Sequence, residues 1–140
     1  MKIFVTQKLA GDFVDRLAEK YEVVVWPGRE ISRKDLLRKV RGVDAILSLL
    51  TERIDAEVME KAGENLKIIS NCAVGFDNVE VSEATRRGIV VTNTPAALSE
   101  SVAEHAIALM LTVMRRIVEG DKYVRSGKFK GWEPDLMVGM

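Results

Sequence analysis

Five short apolar runs rich in β-branched residues recur along the chain: Lys2 to Thr6, Glu22 to Trp26, Ala45 to Leu50, Lys67 to Asn71 and Ile89 to Asn93. Their length and composition predict strands buried on both faces of a sheet. The segments between them carry the helical period instead. Phe13, Val14, Leu17, Ala18 and Tyr21 form one apolar stripe at i, i+3, i+4 spacing. Leu36, Leu37 and Val40 form a second stripe behind Ser32, a candidate N-cap, and Gly42 ends it; Ala56, Val58, Met59 and Ala62 form a third ahead of Gly63. A short helix from about Val81 stops at Gly88. Strict alternation of strand and helix predicts an α/β fold, a doubly wound parallel sheet of five strands joined by right-handed crossovers. A flavodoxin-like strand order is expected, with ligands collecting at the carboxyl ends of the strands.

The pattern changes after the fifth strand. Asn93-Thr-Pro interrupts it, and Ser101 with Glu104 forms a candidate capping box for a long helix running to about Glu119. Its stretch Ala106 to Met114 is apolar nearly all round, so more than one side requires cover, from a second domain or a second copy of the chain. From Asp121 to Met140 the periodicity fades among Ser126-Gly, Gly131-Trp and Glu133-Pro, which predicts an extended arm. The expected organisation is a flavodoxin-like α/β domain over residues 1–98, a long helix over 99–120 and an arm over 121–140.

Composition narrows the chemistry. Of 140 residues, 47% are hydrophobic and 30% charged, enough for one domain with a true core. Lys+Arg and Asp+Glu balance at 21 each, which argues against nucleic acid or an anionic membrane as partner and for a small ligand. Cys72 is the single cysteine and His105 the single histidine, so no metal site and no disulfide are expected, and a reducing, cytoplasmic setting fits. The longest apolar stretch is far shorter than the roughly 20 residues that span a bilayer.

Several sites can be weighed on the residues alone. The ten glycines include no G-x-G pair and no P-loop, so the usual dinucleotide-phosphate cradle is missing. Thr6-Gln7, Ser48-Leu49 and Thr92-Asn93 stand where phospho-aspartate chemistry would need acids and a lysine, and exclude it. The loop Ser70 to Val79 has two readings. Consecutive N–H groups at Val74 and Gly75 can hold a carboxylate as a small nest. Alternatively, Gly75 serves a positive-φ turn and Asp77-Asn78 caps the next helix. Cys72 reads as a small buried hydrophobe rather than a nucleophile, and His105 as a packed or interface residue rather than a general acid. Trp132 can anchor an interface.

Taken in order, Asn71-Cys-Ala-Val-Gly-Phe-Asp-Asn-Val, Arg87-Gly-Ile-Val-Val-Thr-Asn-Thr-Pro, Ser99-Glu-Ser-Val-Ala-Glu-His-Ala, Arg115-Arg, Val124-Arg-Ser-Gly and Gly131-Trp-Glu-Pro resemble the N-terminal part of a D-2-hydroxyacid dehydrogenase. Within that family the arm is most similar to glyoxylate/hydroxypyruvate reductases. The resemblance implies a substrate-binding portion of an enzyme that reduces small 2-keto acids with NAD or NADP. It also implies that the Rossmann domain and the Arg, Glu and His of the chemistry fall beyond Met140, so this chain alone is expected to be inactive and to hold no cofactor tightly. No catalytic residue is expected within it.

By the same resemblance, Val74 and Gly75 bind the substrate carboxylate, and Leu49 and Leu50 wall the pocket. Val74, Leu98, Ser99 and Val102 face the nicotinamide side, and Trp132 reaches a neighbouring subunit's active site in a homo-oligomer, with a dimer expected. Many members carry Thr at the position of Val102. A different class of function also fits the pattern: a non-catalytic flavodoxin-like module that self-associates through the long helix, with or without exchange of the tail between copies.

Overall fold

The computed structural model describes residues 1–96, 98–132 and 134–135. The chain divides into two compact units, Met1–Ala97 and Leu98–Met140. In the first, five parallel strands, β1 (Lys2–Val5), β2 (Glu22–Val25), β3 (Ala45–Ser48), β4 (Ile68–Asn71) and β5 (Val90–Thr92), lie in the order β2-β1-β3-β4-β5. This is the flavodoxin-like order. The register pairs Phe4 with Val24 and Ile46, Ile46 with Ile69, and Ile69 with Val91.

Side chains alternate across the sheet, and the two faces receive different cover. Phe4, Ile46 and Ile69 point to the face packed by Leu36 and Val40 of α2 (Arg33–Lys39), Val58, Met59 and Ala62 of α3 (Ala56–Ala62), and Ala84 of α4 (Val81–Arg86). Ile3, Val5 and Ala45 occupy the other face with Leu17 of α1 (Phe13–Ala18). The expectation that all five strands are buried on both faces holds for the central strands only. β2 is half-buried along most of its length and Val90 of β5 is 56% exposed, as edge strands with a neighbour on one side only.

Local signals act as their chemistry dictates. Ser32 caps α2 by accepting from the Asp35 N–H at 3.1 Å, and Asp55 caps α3 by accepting from the Val58 N–H at 3.2 Å. Gly42, Gly63 and Gly88, just past α2, α3 and α4, have φ of 69°, 89° and 70°, the left-handed stop that glycine makes cheaply.

The second unit departs from expectation. Its first helix, α5, spans Ser99–Met114 with Leu98 at the N-cap and no side-chain cap bond. Ser101 therefore already lies in the first turn, and the Ser101–Glu104 capping box does not form. The helix does not run on to Glu119. Arg116 takes a left-handed conformation (φ 51°) and a second helix, α6, follows over Ile117–Arg125. Helix thus extends into the segment expected to be an arm from residue 121 onward. Glu133 and residues 136–140 of that predicted arm lie outside the described residues.

Candidate functional site

Three strands adjacent in the sheet end on a small polar residue, and all three are buried: Thr6 after β1, Ser48 of β3 and Asn71 of β4. These ends meet at the carboxyl edge of the sheet, around the switch in strand order where open α/β sheets bind ligands. Two loops rise there, Leu49 to Ile54 after β3 and Cys72 to Val79 after β4. A parallel bridge between Ile54 and Val79 joins them, with the Ile54 N–H donating to the Asn78 carbonyl at 2.8 Å and the Glu80 N–H to the Ile54 carbonyl at 2.9 Å.

The polar side chains beneath the loops form one connected network. Glu52, 5% exposed, accepts from Thr6 Oγ1 at 2.8 Å, the Leu49 N–H at 2.9 Å and Thr51 Oγ1 at 2.6 Å. Asn78 Nδ2 donates to the carbonyls of Leu49 and Glu52, both at 2.9 Å. Asn78 and Asn71 pair amide to amide at 3.1 and 3.2 Å, Ser48 Oγ donates to Asn71 Oδ1 at 2.9 Å, and Asn71 Nδ2 donates to the Gly75 carbonyl at 2.9 Å. Leu49 is thereby held at both its N–H and its C=O. Among the described residues no buried side-chain nitrogen or oxygen lacks a partner, so the network is satisfied and rigid.

The β4 loop has the opposite asymmetry. Four consecutive carbonyls are tied down: Ala73 accepts from the Thr94 N–H at 2.9 Å, Val74 from Asn93 Nδ2 at 2.8 Å, Gly75 from Asn71 Nδ2, and Phe76 from the Val79 N–H at 2.9 Å. The N–H groups of Val74 and Gly75 donate to no group among the described residues. A trans peptide unit is planar, with its C=O and N–H on opposite sides. Holding the carbonyls of Ala73 and Val74 therefore turns the N–H groups of Val74 and Gly75 away from those anchors. Two free donors in succession, beside the exposed apolar side chains of Val74 and Phe76, are suited to an anion with two oxygens.

Gly75 itself adds an argument. Its φ lies outside the left-handed range, and a Cβ placed on it would meet only Asp77 Oδ2, at 3.8 Å. Neither backbone conformation nor space within the chain demands glycine there. The reading of Gly75 as a positive-φ turn is overturned, and so is the capping role of Asp77-Asn78: the N-cap of α4 is Glu80, without a side-chain cap bond. Cys72 is another correction. It is exposed, because Asn71 and Ala73 on either side take the inward positions.

The remaining residues singled out from the sequence are placed as follows. Leu49 is half-buried and Leu50 is 65% exposed at the end of β3. Leu98, Ser99 and Val102 lie at the start of α5 in the second unit, all exposed, with the Val102 N–H bonded to the Leu98 carbonyl at 2.9 Å. His105 is exposed on α5, and Trp132, 83% exposed, follows Gly131. A groove beside the two loops is lined by Leu50, Thr51, Arg53, Asp77, Asn78 and Glu80. It includes neither Val74 nor Gly75, and its acidic edge disfavours an anion, so the free amides and not this groove define the candidate site.

Thr6, Ser48, Glu52, Asn71, Asn78 and Asn93 were not singled out in the sequence as site residues. The readable signal was the small polar residue repeated at the ends of three of the apolar strands, Thr6, Ser48 and Asn71. For a dinucleotide the residues do not fit. The β1–α1 turn, Thr6-Gln-Lys-Leu-Ala-Gly, leads to Asp12 and Asp15 at the start of a helix of six residues, which places negative charge where a pyrophosphate would need donors. Among the described residues no three His, Cys, Asp or Glu side chains are grouped to hold a metal ion. No helix among them is long and apolar enough to cross a membrane.

A five-stranded parallel sheet in this order, covered by helices, defines a doubly wound α/β protein. Residues 3–128 match the family described as D-isomer specific 2-hydroxyacid dehydrogenase, catalytic domain, and the chain belongs to that family. It is 49% identical to a glyoxylate reductase from Pyrococcus furiosus and 48% identical to one from Thermococcus gammatolerans, in each case over 99% of this chain and 42% of the relative. The chain thus spans about two fifths of the length of the curated relatives it matches. Among solved structures, the TT0316 protein from Thermus thermophilus superposes with a TM-score of 0.89 at 42% identity, covering 100% of this chain and 45% of that one. An NADPH-dependent glyoxylate/hydroxypyruvate reductase from Sinorhizobium meliloti, in complex with NADP and malonate, gives a TM-score of 0.72 at 35% identity, over 95% of this chain and 41% of that one.

Proposed function

We propose that this chain is the substrate-binding portion of an NAD(P)-dependent D-2-hydroxyacid dehydrogenase of the glyoxylate/hydroxypyruvate reductase type. The observation that carries the reading is the pair of unpartnered N–H groups at Val74 and Gly75, at a glycine that the fold itself does not require. In this reading they receive the carboxylate of a 2-keto acid, and Leu49 and Leu50 form the apolar wall that excludes water from the reacting carbonyl. Apolar surroundings strengthen such donors because less water competes for the anion.

In this reading Val74, Leu98, Ser99 and Val102 face the nicotinamide side and Trp132 reaches a neighbouring subunit's site. NAD(P)H would supply the hydride in the parent enzyme. Because the β1–α1 turn leads to Asp12 and Asp15 where a pyrophosphate would need donors, the 140-residue chain is proposed to bind a 2-keto acid and leave it unreduced.

The test is a titration of the isotopically labelled chain with glyoxylate, and separately with malonate, followed by amide NMR. The Val74 and Gly75 resonances are expected to move most and to saturate. Shifts spread over the surface without saturation, or centred elsewhere, would reject the site. Oxidation of NADPH or NADH by the purified chain with glyoxylate, at a rate near that of the full-length relatives, would reject the proposed silence.

A further inference from the structure

We infer that Asn93 is a positioning residue for the carboxylate site, acting through the peptide unit between Val74 and Gly75; this rests on the reading of those amides as the substrate's donors. Asn93 stands one residue beyond β5, and its Nδ2 donates to the Val74 carbonyl at 2.8 Å. The Val74 carbonyl and the Gly75 N–H belong to one planar unit, so the bond that fixes the first fixes the direction of the second. The next residue acts alike on the preceding unit: the Thr94 N–H holds the Ala73 carbonyl at 2.9 Å and thereby directs the Val74 N–H. The two donors are thus aimed by consecutive residues at the end of β5, a strand that lines neither donor itself.

The bond has an electronic consequence as well. Donation to a peptide oxygen draws charge toward that oxygen and leaves the N–H of the same unit a stronger donor. Asn93 therefore both aims and polarises the Gly75 N–H. Carboxamide is the group suited to this role. It offers a neutral donor to the carbonyl, whereas a carboxylate at the same place would repel both that oxygen and an incoming substrate carboxylate.

The neighbouring hydroxyl supplies an internal comparison. Thr92 Oγ1 donates to Ser70 Oγ at 3.0 Å, across the same two strands but without touching a loop carbonyl. Asn93→Ala, Asn93→Asp and Thr92→Val are to be compared with the unaltered chain by amide NMR, by titration with glyoxylate and by thermal unfolding. Both Asn93 variants are expected to lose roughly tenfold or more in glyoxylate affinity, the scale set by misaimed site groups. They should also shift the ligand-free Gly75 amide proton upfield, with thermal midpoints close to that of Thr92→Val, whose affinity stays unchanged.

Unaltered affinity in Asn93→Ala, with the unaltered chain binding at Val74 and Gly75, overturns the positioning role alone. Should the unaltered chain show no response at these amides, the carboxylate site falls and the positioning role with it. Equal losses in Thr92→Val and Asn93→Ala would mean general loosening of the strand ends, and would also overturn it.

Discussion

At the scale of single residues, Gly75 is a glycine that the fold does not demand. Gly42, Gly63 and Gly88 occupy left-handed positions, and their identity follows from the backbone. Gly75 does not, and a Cβ there finds ordinary contact with Asp77 Oδ2 at 3.8 Å. Gly75→Ala should leave the thermal midpoint unchanged or raise it, because alanine at a compatible φ stabilises by about 0.4–1 kcal/mol through the unfolded chain. The same methyl beside the donor pair should weaken glyoxylate binding by roughly tenfold or more, since a small displacement of bound groups is costly. Calorimetric unfolding together with NMR titration checks this. A variant that binds normally would return Gly75 to the status of an incidental glycine. The donor residues were legible in the sequence as part of a motif. The residues that hold them were not, because Asn93 and Thr94 reach the Val74 and Ala73 carbonyls from the end of another strand, and a lone asparagine reads first as a turn former. Cys72 was misread for a related reason: the inward and outward alternation continues past the last residue of the strand.

At the scale of elements, charge at helix ends predicts how stability responds to acid. Glu83 in α4 accepts from Arg86 Nε at 2.8 Å and Nη2 at 2.6 Å and from Arg87 Nε at 2.5 Å. These bonds, reinforced by the two positive charges, pull its carboxyl from 4.5 down to about 2. For Asp55, burial alone would raise the carboxyl. The bonds from Arg33 and the Val58 N–H, with the charges of Arg33 and Arg53, outweigh burial and hold it below its usual 3.8. Both folded values lie below the unfolded ones, so the folded state binds fewer protons than the unfolded chain. The stabilisation is fully present above the ordinary carboxylate range and is lost as pH falls, through about 4.5 toward about 2 for Glu83. Thermal midpoints measured from pH 7 to pH 2.5 should therefore fall below about pH 4.5, and the fall should be shallower in Glu83→Gln and in Asp55→Asn. A flat profile in the unaltered chain would contradict both assignments. Strands, their order and the glycine stops were readable here because period and punctuation agreed. The break between α5 and α6 was not, because its left-handed residue is Arg116, a type with no preference for that conformation. The capping box failed because a Ser-x-x-Glu spacing inside a helix resembles one at its start. Here the helix begins at Ser99, two residues before Ser101.

At the scale of the whole molecule, the unit from Leu98 onward bears on association. Ile107, Leu109, Met110, Leu111, Val113 and Met114 of α5 are each half or more exposed, and α5 contains no buried residue. The sequence identified this stretch as needing cover because its apolar positions go nearly all round the helix, and a single stripe would have been explained by one sheet face. What provides that cover lies outside a sequence reading, since a second copy and further chain present the same chemistry to it. Contiguous apolar surface of this kind is rarely left to water in a monomer. The 140-residue chain, 15.6 kDa as a monomer, is therefore expected to sediment as a dimer or larger species at micromolar concentration. A paired substitution, Ile107→Lys with Leu111→Glu, should return it to the monomer mass. Because Ile107 and Leu111 sit four residues apart on one face, the opposite charges support the helix while the apolar surface is lost. The proposed carboxylate site offers an independent check on the same variant. Its donors are held by β4 and β5 within Met1–Ala97, so the Val74 and Gly75 resonances should respond to glyoxylate in the monomeric variant as they do in the associated chain. A wild-type chain that sediments at 15.6 kDa would argue against association through α5. A monomeric variant that no longer binds glyoxylate would instead tie the site to the assembled state.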